Sequence, residues 1–283
     1  MQLEKEEWTS VIKAKHGWFN INLRELWQYR DLIKMFVKRD FVAVYKQTIL
    51  GPIWFFLQPL FTTIVFTIVF GQIANLPTNG IPQILFYMSG TVMWNYFASC
   101  LNTTANTFTA NAGIFGKVYF PRLVTPISVV ITQMITFSIQ FILFLVFWGY
   151  FMCSGTNLQP NVCILLTPIL LFQMAALGLG CGIIVSSLTT KYRDLSLLVT
   201  FGVQLWMYAT PVVYPLSMVT GKMAILMALN PMSAIVEIFR YAFLGGSLLP
   251  FWYWGISLAT TVLVLLGGII LFSKIEKNFM DTV

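Results

Sequence analysis

Residues Thr210–Gly246 read TPVVYPLSMVTGKMAILMALNPMSAIVEIFRYAFLGG, and this stretch decides how the chain is organised. It is apolar enough to enter a bilayer, yet Pro211, Pro215, Gly221 and Pro231 interrupt it, and Lys222, Glu237 and Arg240 place charge inside it. Proline removes a backbone donor and clashes with the preceding turn, so helices bend or end at these positions. Broken helix at membrane depth persists only where protein or a water-filled cavity satisfies the freed backbone groups. The expectation is a re-entrant, gate-forming segment of a transport path. Within it, Glu237 and Arg240 stand three apart, share a helix face and can pair, and Pro211 and Pro215 are candidate hinges.

The composition agrees with a membrane setting. Apolar residues make up 58% of the chain and charged residues 10%, whereas a soluble domain carries roughly 25% charged residues. The first apolar run begins only at Ile49, after a long polar segment, which is not the layout of a secretory signal. Cys100, Cys153, Cys163 and Cys181 have no C-x-x-C spacing. Cys153 and Cys163 flank a short loop and could pair in an oxidising compartment, or all four are small apolar fillers. His16 is the only histidine, which excludes a multi-histidine metal site.

Charge spacing supplies a topology. No charged residue occurs between Lys46 and Lys117, nor between Arg122 and Lys191. Each gap is too long for one helix of roughly 20 residues and suits a two-helix hairpin. A third pair of crossings fits between Leu195 and Ser273. All basic residues except Lys222 and Arg240 then fall on one side, which the positive-inside rule makes cytoplasmic. The prediction is an all-α polytopic membrane protein with both termini cytoplasmic. Its parts are an arm over 1–48 carrying an amphipathic interface helix, then a membrane domain over 49–283. That domain has six transmembrane helices, near 52–72, 83–101, 127–152, 164–187, 196–214 and 252–272, with outer re-entrant gate helices between spans five and six.

In the arm, residues 20–48 interleave Arg24, Arg30, Lys34, Lys38 and Arg39 with apolar residues at helical spacing. Such a segment suggests a helix lying in the inner membrane interface, or an ordinary soluble helix packed on a partner. Span two carries Tyr87, Trp94, Tyr96 and Phe97. Aromatics of this kind mark an interface belt or fill helix contacts; alternatively they line a path and offer flat faces to a sugar ring, with Trp206 and Tyr208 as further candidates in span five. The segment Asn102–Pro126 between spans two and three is a docking segment for a cytoplasmic partner or a plain amphipathic connector. Gly178, Gly180 and Gly182 lack the strand and soluble helix of a nucleotide loop. Gly178 and Gly182 have the spacing of small residues at helix contacts in lipid. None of the six spans carries an acid, lysine or histidine, so ion coupling lacks its usual membrane-embedded group. Energy must come from elsewhere, or the protein is passive.

Several short motifs occur in order: Tyr45-Lys-Gln-Thr-Ile-Leu-Gly-Pro-Ile-Trp54, Gln58-Pro-Leu60, Phe120-Pro-Arg122 with Pro126, Lys191-Tyr-Arg-Asp-Leu195, Thr210-Pro-Val-Val-Tyr-Pro215, and Asn230-Pro231 leading to Phe239-Arg240. With this topology, about residues 24–280 resemble the permease subunits of ABC-2-type polysaccharide exporters, the Wzm-like proteins of O-antigen, capsule or teichoic acid export. The resemblance implies two copies forming a channel in the bacterial inner membrane. Each copy would bind a separate ATPase chain, so that ATP and Mg sit on that partner and this chain holds no cofactor, no metal and no nucleic acid. It implies ATPase contacts around Asn106, Phe108, Phe115 and Lys117, with Lys191 and Arg193 as further candidates. It also implies an undecaprenyl-diphosphate-linked glycan as substrate. Arg24, Arg30, Lys34, Lys38, Arg39 and Arg122 are candidates for its diphosphate, since arginine and lysine pair with phosphate. The outer gate would comprise Pro211, Tyr214, Pro215, Pro231, Glu237 and Arg240. The alternative is an ABC-2 exporter subunit for small amphiphiles, drugs or lipids. A membrane acyltransferase would need a catalytic histidine or acid near the bilayer, and His16 in a polar arm does not supply it.

Overall fold

The computed structural model describes residues 23–46, 48–115, 117–118, 120–189, 194–246 and 250–278, and these form helices joined by turns and short loops, with no strand among them. Short helix α1 (Leu23–Gln28) leads into α2 (Arg30–Tyr45). Then follow α3 (Trp54–Phe66), continued by a π-helical turn over Thr67–Ile73, and α4 (Gln83–Ala105). The short α5 (Thr107–Phe115) precedes two long helices, α6 (Val124–Cys153) and α7 (Thr167–Thr189). The chain ends in α8 (Leu195–Tyr208), α9 (Lys222–Leu229), α10 (Pro231–Leu244) and α11 (Phe251–Asn278).

Four helical runs are long and apolar enough to cross a membrane: Gly51–Ile73, Val124–Cys153, Val162–Thr189 and Trp252–Phe272. The α9–α10 pair makes a fifth if its 89° bend lies within one span. Two of the six expected spans differ. Helix α4 has the length, 23 residues, but it carries Gln83, Ser89, Thr91, Asn95 and Asn102–Thr104. It tolerates them because it is the hub of the fold, packed on by α3, α6, α7, α8 and α10, so most of its side chains meet protein. Helix α8 is apolar but has only 14 residues; at 1.5 Å per residue it spans about 21 Å, short of the ~30 Å hydrocarbon core.

Lipid tails are as apolar as leucine, so close packing and hydrogen bonds must hold such helices together. Helix α7 supplies close packing on two faces. A Cβ at Gly182 would lie 2.5 Å from Thr104 Cβ, and one at Gly178 2.8 Å from Cys100 Cβ, so both glycines admit α4. Between them Gly180 faces the other way, where a Cβ would meet Leu265 Cα of α11 at 2.9 Å. The helix-contact reading of these glycines is what the structure has. The cysteine pairing is not: all four cysteines are free, with Cys153 exposed and Cys163 half-buried.

Two apolar clusters result. The larger surrounds α4 and includes Phe86, Tyr87, Phe97, Phe144, Phe239 and Phe243. The smaller joins Phe36 of α2, Phe108 and Phe115 of α5, Phe120, Val124, Ile183 and Phe272 near the α5 end of the bundle.

Candidate functional site

At the end of the bundle where α4 begins, the bend between α9 and α10 is set by Asn230-Pro231. Proline at the first helical position forgoes a hydrogen bond that no helix could supply there. Asn230 caps the helix by accepting from the Met232 N–H at 3.1 Å. The same oxygen accepts from Trp206 Nε1 at 3.2 Å, and Asn230 Nδ2 donates to Ala209 O and Thr210 Oγ1 at 3.0 and 2.9 Å. One side chain therefore ties the end of α8 to the start of α10.

Helix α10 is buried along most of its length, and its last four carbonyls, orphans in any helix, are each taken up. Asn161 Nδ2 donates to Tyr241 O at 2.8 Å and Asn161 N to Ala242 O at 3.1 Å. Trp148 Nε1 donates to Phe243 O at 2.8 Å, and Gln159 N reaches Leu244 O at 3.5 Å. This accounting is what lets an irregular segment sit inside an apolar protein. Behind α10, Trp254 Nε1 donates to Gln173 Oε1 at 3.0 Å, Gln173 Nε2 donates to Ser257 Oγ at 2.7 Å, and Ser257 Oγ donates to Pro231 O at 2.6 Å. The chain of bonds links α7, α11 and α10.

Arg240 sits at the centre, 3% exposed. Its Nη1 pairs with Glu237 Oε1 at 3.1 Å, the i,i+3 contact expected from their spacing. Its guanidinium also donates to the carbonyls of Pro211, Val212 and Phe86 and to Ser89 Oγ. It stacks on Phe86 with Cζ 3.8 Å from the ring centroid. Gly90 leaves the room: a Cβ there would lie 2.7 Å from Arg240 Nη2. Arginine's fork offers five donors in fixed geometry, and here they bridge α4, α10 and the turn after α8. Pro211 and Pro215 are buried in that turn, while Tyr214 and Pro231 are half-buried. The Tyr214 hydroxyl donates to Tyr208 O at 3.1 Å. All six gate candidates thus lie on one connected region.

The aromatic candidates fall otherwise. Tyr87, Trp94, Tyr96 and Phe97 are buried within this chain. Trp94 and Phe97 pack on the half-buried Trp206, with ring centroids 6.3 and 5.1 Å away. Tyr96 packs on Phe137 at 5.2 Å, and Tyr87 on Phe86 at 5.5 Å. The Tyr87 hydroxyl is buried with no hydrogen-bond partner. Tyr208, 50% exposed, is the candidate of the six that presents most surface.

At the α5 end, α2 buries Phe36 and leaves Arg30, Lys34, Lys38 and Arg39 on its exposed side. Arg30 lies 5.9 Å from the Trp27 ring centroid. The Lys34 ammonium, 3.0 Å from Asp31, holds that carboxyl below its ordinary pKa by hydrogen bonding and charge. Arg39 lies over the Phe36 ring at 4.6 Å, bonds Asp40 at 2.7 Å and reaches Asn111 Oδ1 of α5 at 3.4 Å. Arg122 lies 5.8 Å from the Phe115 ring. Phe36 and Phe115 both touch Phe120, at 5.9 and 5.6 Å. Arg39 and Arg122 are therefore brought to one phenylalanine cluster, whereas Lys34 and Lys38 stand apart in solvent. Arg24 lies in α1 with its side chain outside the described residues.

Of the partner-contact candidates, Phe108 and Phe115 are buried and anchor α5 from beneath. Asn106 and Lys117 are exposed, and Thr103, Ala110 and Gly113 complete an exposed strip at helical spacing. Lys191 and Arg193 lie outside the described residues. Among the described residues no group of three His, Cys, Asp or Glu could hold a metal ion.

Sequence reasoning missed Asn230 as a clamp, and it missed Asn161, Gln173 and Ser89 entirely. Asn-Pro at a helix start was a legible cap signal. The other three acquire partners 80, 84 and 151 residues away, for which no local pattern exists.

A helical bundle with four runs long and apolar enough to cross a membrane, and a fifth if the bent α9–α10 pair is one span, defines a multi-pass membrane protein. The chain matches the ABC-2 type transporter family model over residues 31–244 and belongs to that family, as a transport subunit rather than a catalytic enzyme. It is 31% identical over 224 residues to the O-antigen export system permease protein RfbA of Myxococcus xanthus, covering 78% of this chain and 83% of the relative. It is 27% identical over 253 residues to the RfbA permease of Klebsiella pneumoniae, covering 89% and 94%.

Proposed function

We propose that this chain is the membrane subunit of an ATP-driven exporter that moves a lipid-linked polysaccharide, of O-antigen type, across the inner membrane. The observation that carries this reading is similarity along nearly the whole chain to permeases named for O-antigen export. In this reading two copies form the channel and both termini are cytoplasmic. All six helices cross, with α4 shielded by its neighbours and α8 extended by the turn over 209–217.

The exposed strip from Thr103 to Lys117, with α5 seated on Phe108 and Phe115, is the surface we assign to a separate ATPase, which holds ATP and Mg. Its rigid seating suits a lever that carries motion into the bundle. Arg39 and Arg122, held on the same aromatic cluster, are the pair we assign to the lipid diphosphate, because the cluster brings two guanidiniums together and the guanidinium fork matches phosphate. Exposed Arg30, Lys34 and Lys38 would add long-range attraction, screened by salt. Tyr208 is the aromatic we place on the glycan path.

Deleting the chain tests the reading. Surface polysaccharide should disappear while the lipid-linked polymer accumulates inside, and re-expression should reverse both. Intact surface polysaccharide with altered resistance to small amphiphiles would contradict it and favour a drug or lipid exporter.

A further inference from the structure

The segment between α8 and α10 has two parts with unlike anchorage. Over 209–217 several polar groups are held from outside the segment. Asn230 donates to Ala209 O and Thr210 Oγ1, and Arg240 to the carbonyls of Pro211 and Val212. Ser217 and Asn79 exchange hydrogen bonds at 3.2 and 3.4 Å, tying the turn to the loop before α4. Pro211, Val212, Val213 and Pro215 are buried.

Helix α9 differs on each count. Ala228 is its one buried residue, and Met223, Ile225, Leu226 and Leu229 are all more than half exposed. A Tyr214 hydroxyl reaching Met227 Sδ at 3.5 Å is the side-chain hydrogen bond it receives from the held turn. Gly221, at its start, has φ +66° and ψ −139° with open space around it. That conformation is accessible essentially to glycine alone.

We propose that the exit side of the protein divides into a fixed wall and one moving flap. The wall is α4, α10 and the 209–217 turn, positioned by Arg240; the flap is α9, swinging between Gly221 and Asn230. The hinge then lies at Gly221 and not at Pro211 or Pro215, whose turn is clasped. Energetically the argument is an asymmetry. Freeing the turn strips a buried guanidinium of the Pro211 and Val212 carbonyls and leaves it with its partners on α4 and α10 alone, which is unfavourable. Moving α9 breaks few bonds and leaves no charge buried alone.

The proposal rests on the exporter reading for its use, but its first test needs no substrate. Hydrogen exchange on the full transporter with its ATPase in nanodiscs should show amides of 209–217 and 232–244 protected about 100-fold over those of 219–229. Exchange over 209–217 within about threefold of 219–229 would overturn it. Arg240→Lys keeps the charge but not the fork; exchange over 209–217 should rise about tenfold with α9 unchanged, and a uniform rise across the protein would instead make Arg240 a general stabiliser. Gly221→Ala should lower export about tenfold with the complex still assembled; unchanged export would remove the hinge. If the exchange pattern holds but no glycan moves in the native transporter, the exporter reading fails and the division into wall and flap survives.

Discussion

Replacing Arg240 by methionine keeps the length of the side chain and removes its charge and donors. The guanidinium is 3% exposed and serves Glu237, Ser89 and three backbone carbonyls. Breaking a buried pair from one side leaves the other charge uncompensated, a loss of about 3–5 kcal/mol. Here the carbonyls of Pro211 and Val212 also lose their donor. The double variant Arg240→Met with Glu237→Met removes the stranded carboxylate. It should be more stable than Arg240→Met alone by about 1.5 kcal/mol or more, since paired apolar replacements of buried ion pairs are often tolerated. Reversible unfolding of the purified protein in mixed micelles, followed by tryptophan fluorescence, reads both numbers. A loss under about 1 kcal/mol in the single variant, or losses that simply add in the double, would refute the account of Arg240 as a buried charge that Glu237 needs.

Other residues give sharper contrasts in the same assay. Tyr87→Phe deletes a buried hydroxyl without a partner and should stabilise by about 1 kcal/mol; destabilisation would mean that the hydroxyl is satisfied. Gly182→Val must push α7 off Thr104, 2.5 Å from its new Cβ, and should lose about 1–3 kcal/mol, whereas Gly202→Val, where a Cβ meets nothing, should be near neutral. Gln173→Leu removes bonds to Trp254 and Ser257. Because such bonds in lipid average ~0.6 kcal/mol, its loss should stay near 1–2 kcal/mol, and a loss above about 4 kcal/mol would show the network to be cooperative.

Much of the architecture was legible because charge is costly in a bilayer and the chain spaces its charges widely. The empty stretches between Lys46 and Lys117 and between Arg122 and Lys191 each hold two long helices, and the Asn230-Pro231 break became a bend of 89°. Glu237 and Arg240 paired as a local spacing rule requires. Hydropathy blurred at α4, where Ser89, Thr91 and Thr104 face protein rather than lipid, and at α8, whose apolar length continues into a turn that is irregular. What stayed hidden was long-range. Gly90 matters because Arg240 arrives 150 positions later in the chain, and Asn161 because it meets the end of α10. Aromaticity was a poor guide to a path, since Tyr87, Trp94, Tyr96 and Phe97 fill the interior of one chain.

The central claim is export of a lipid-linked glycan driven by a partner ATPase, and reconstitution addresses it most directly. Proteoliposomes containing this chain and its ATPase, loaded on the ATPase side with polyprenyl-diphosphate-linked O-polysaccharide, should expose glycan to a lectin on the far side only when ATP is supplied. Loss of that exposure on replacing both Arg39 and Arg122 by glutamine would extend the account to the diphosphate. Lectin binding that appears equally without ATP, or never appears although ATP is hydrolysed, would contradict it.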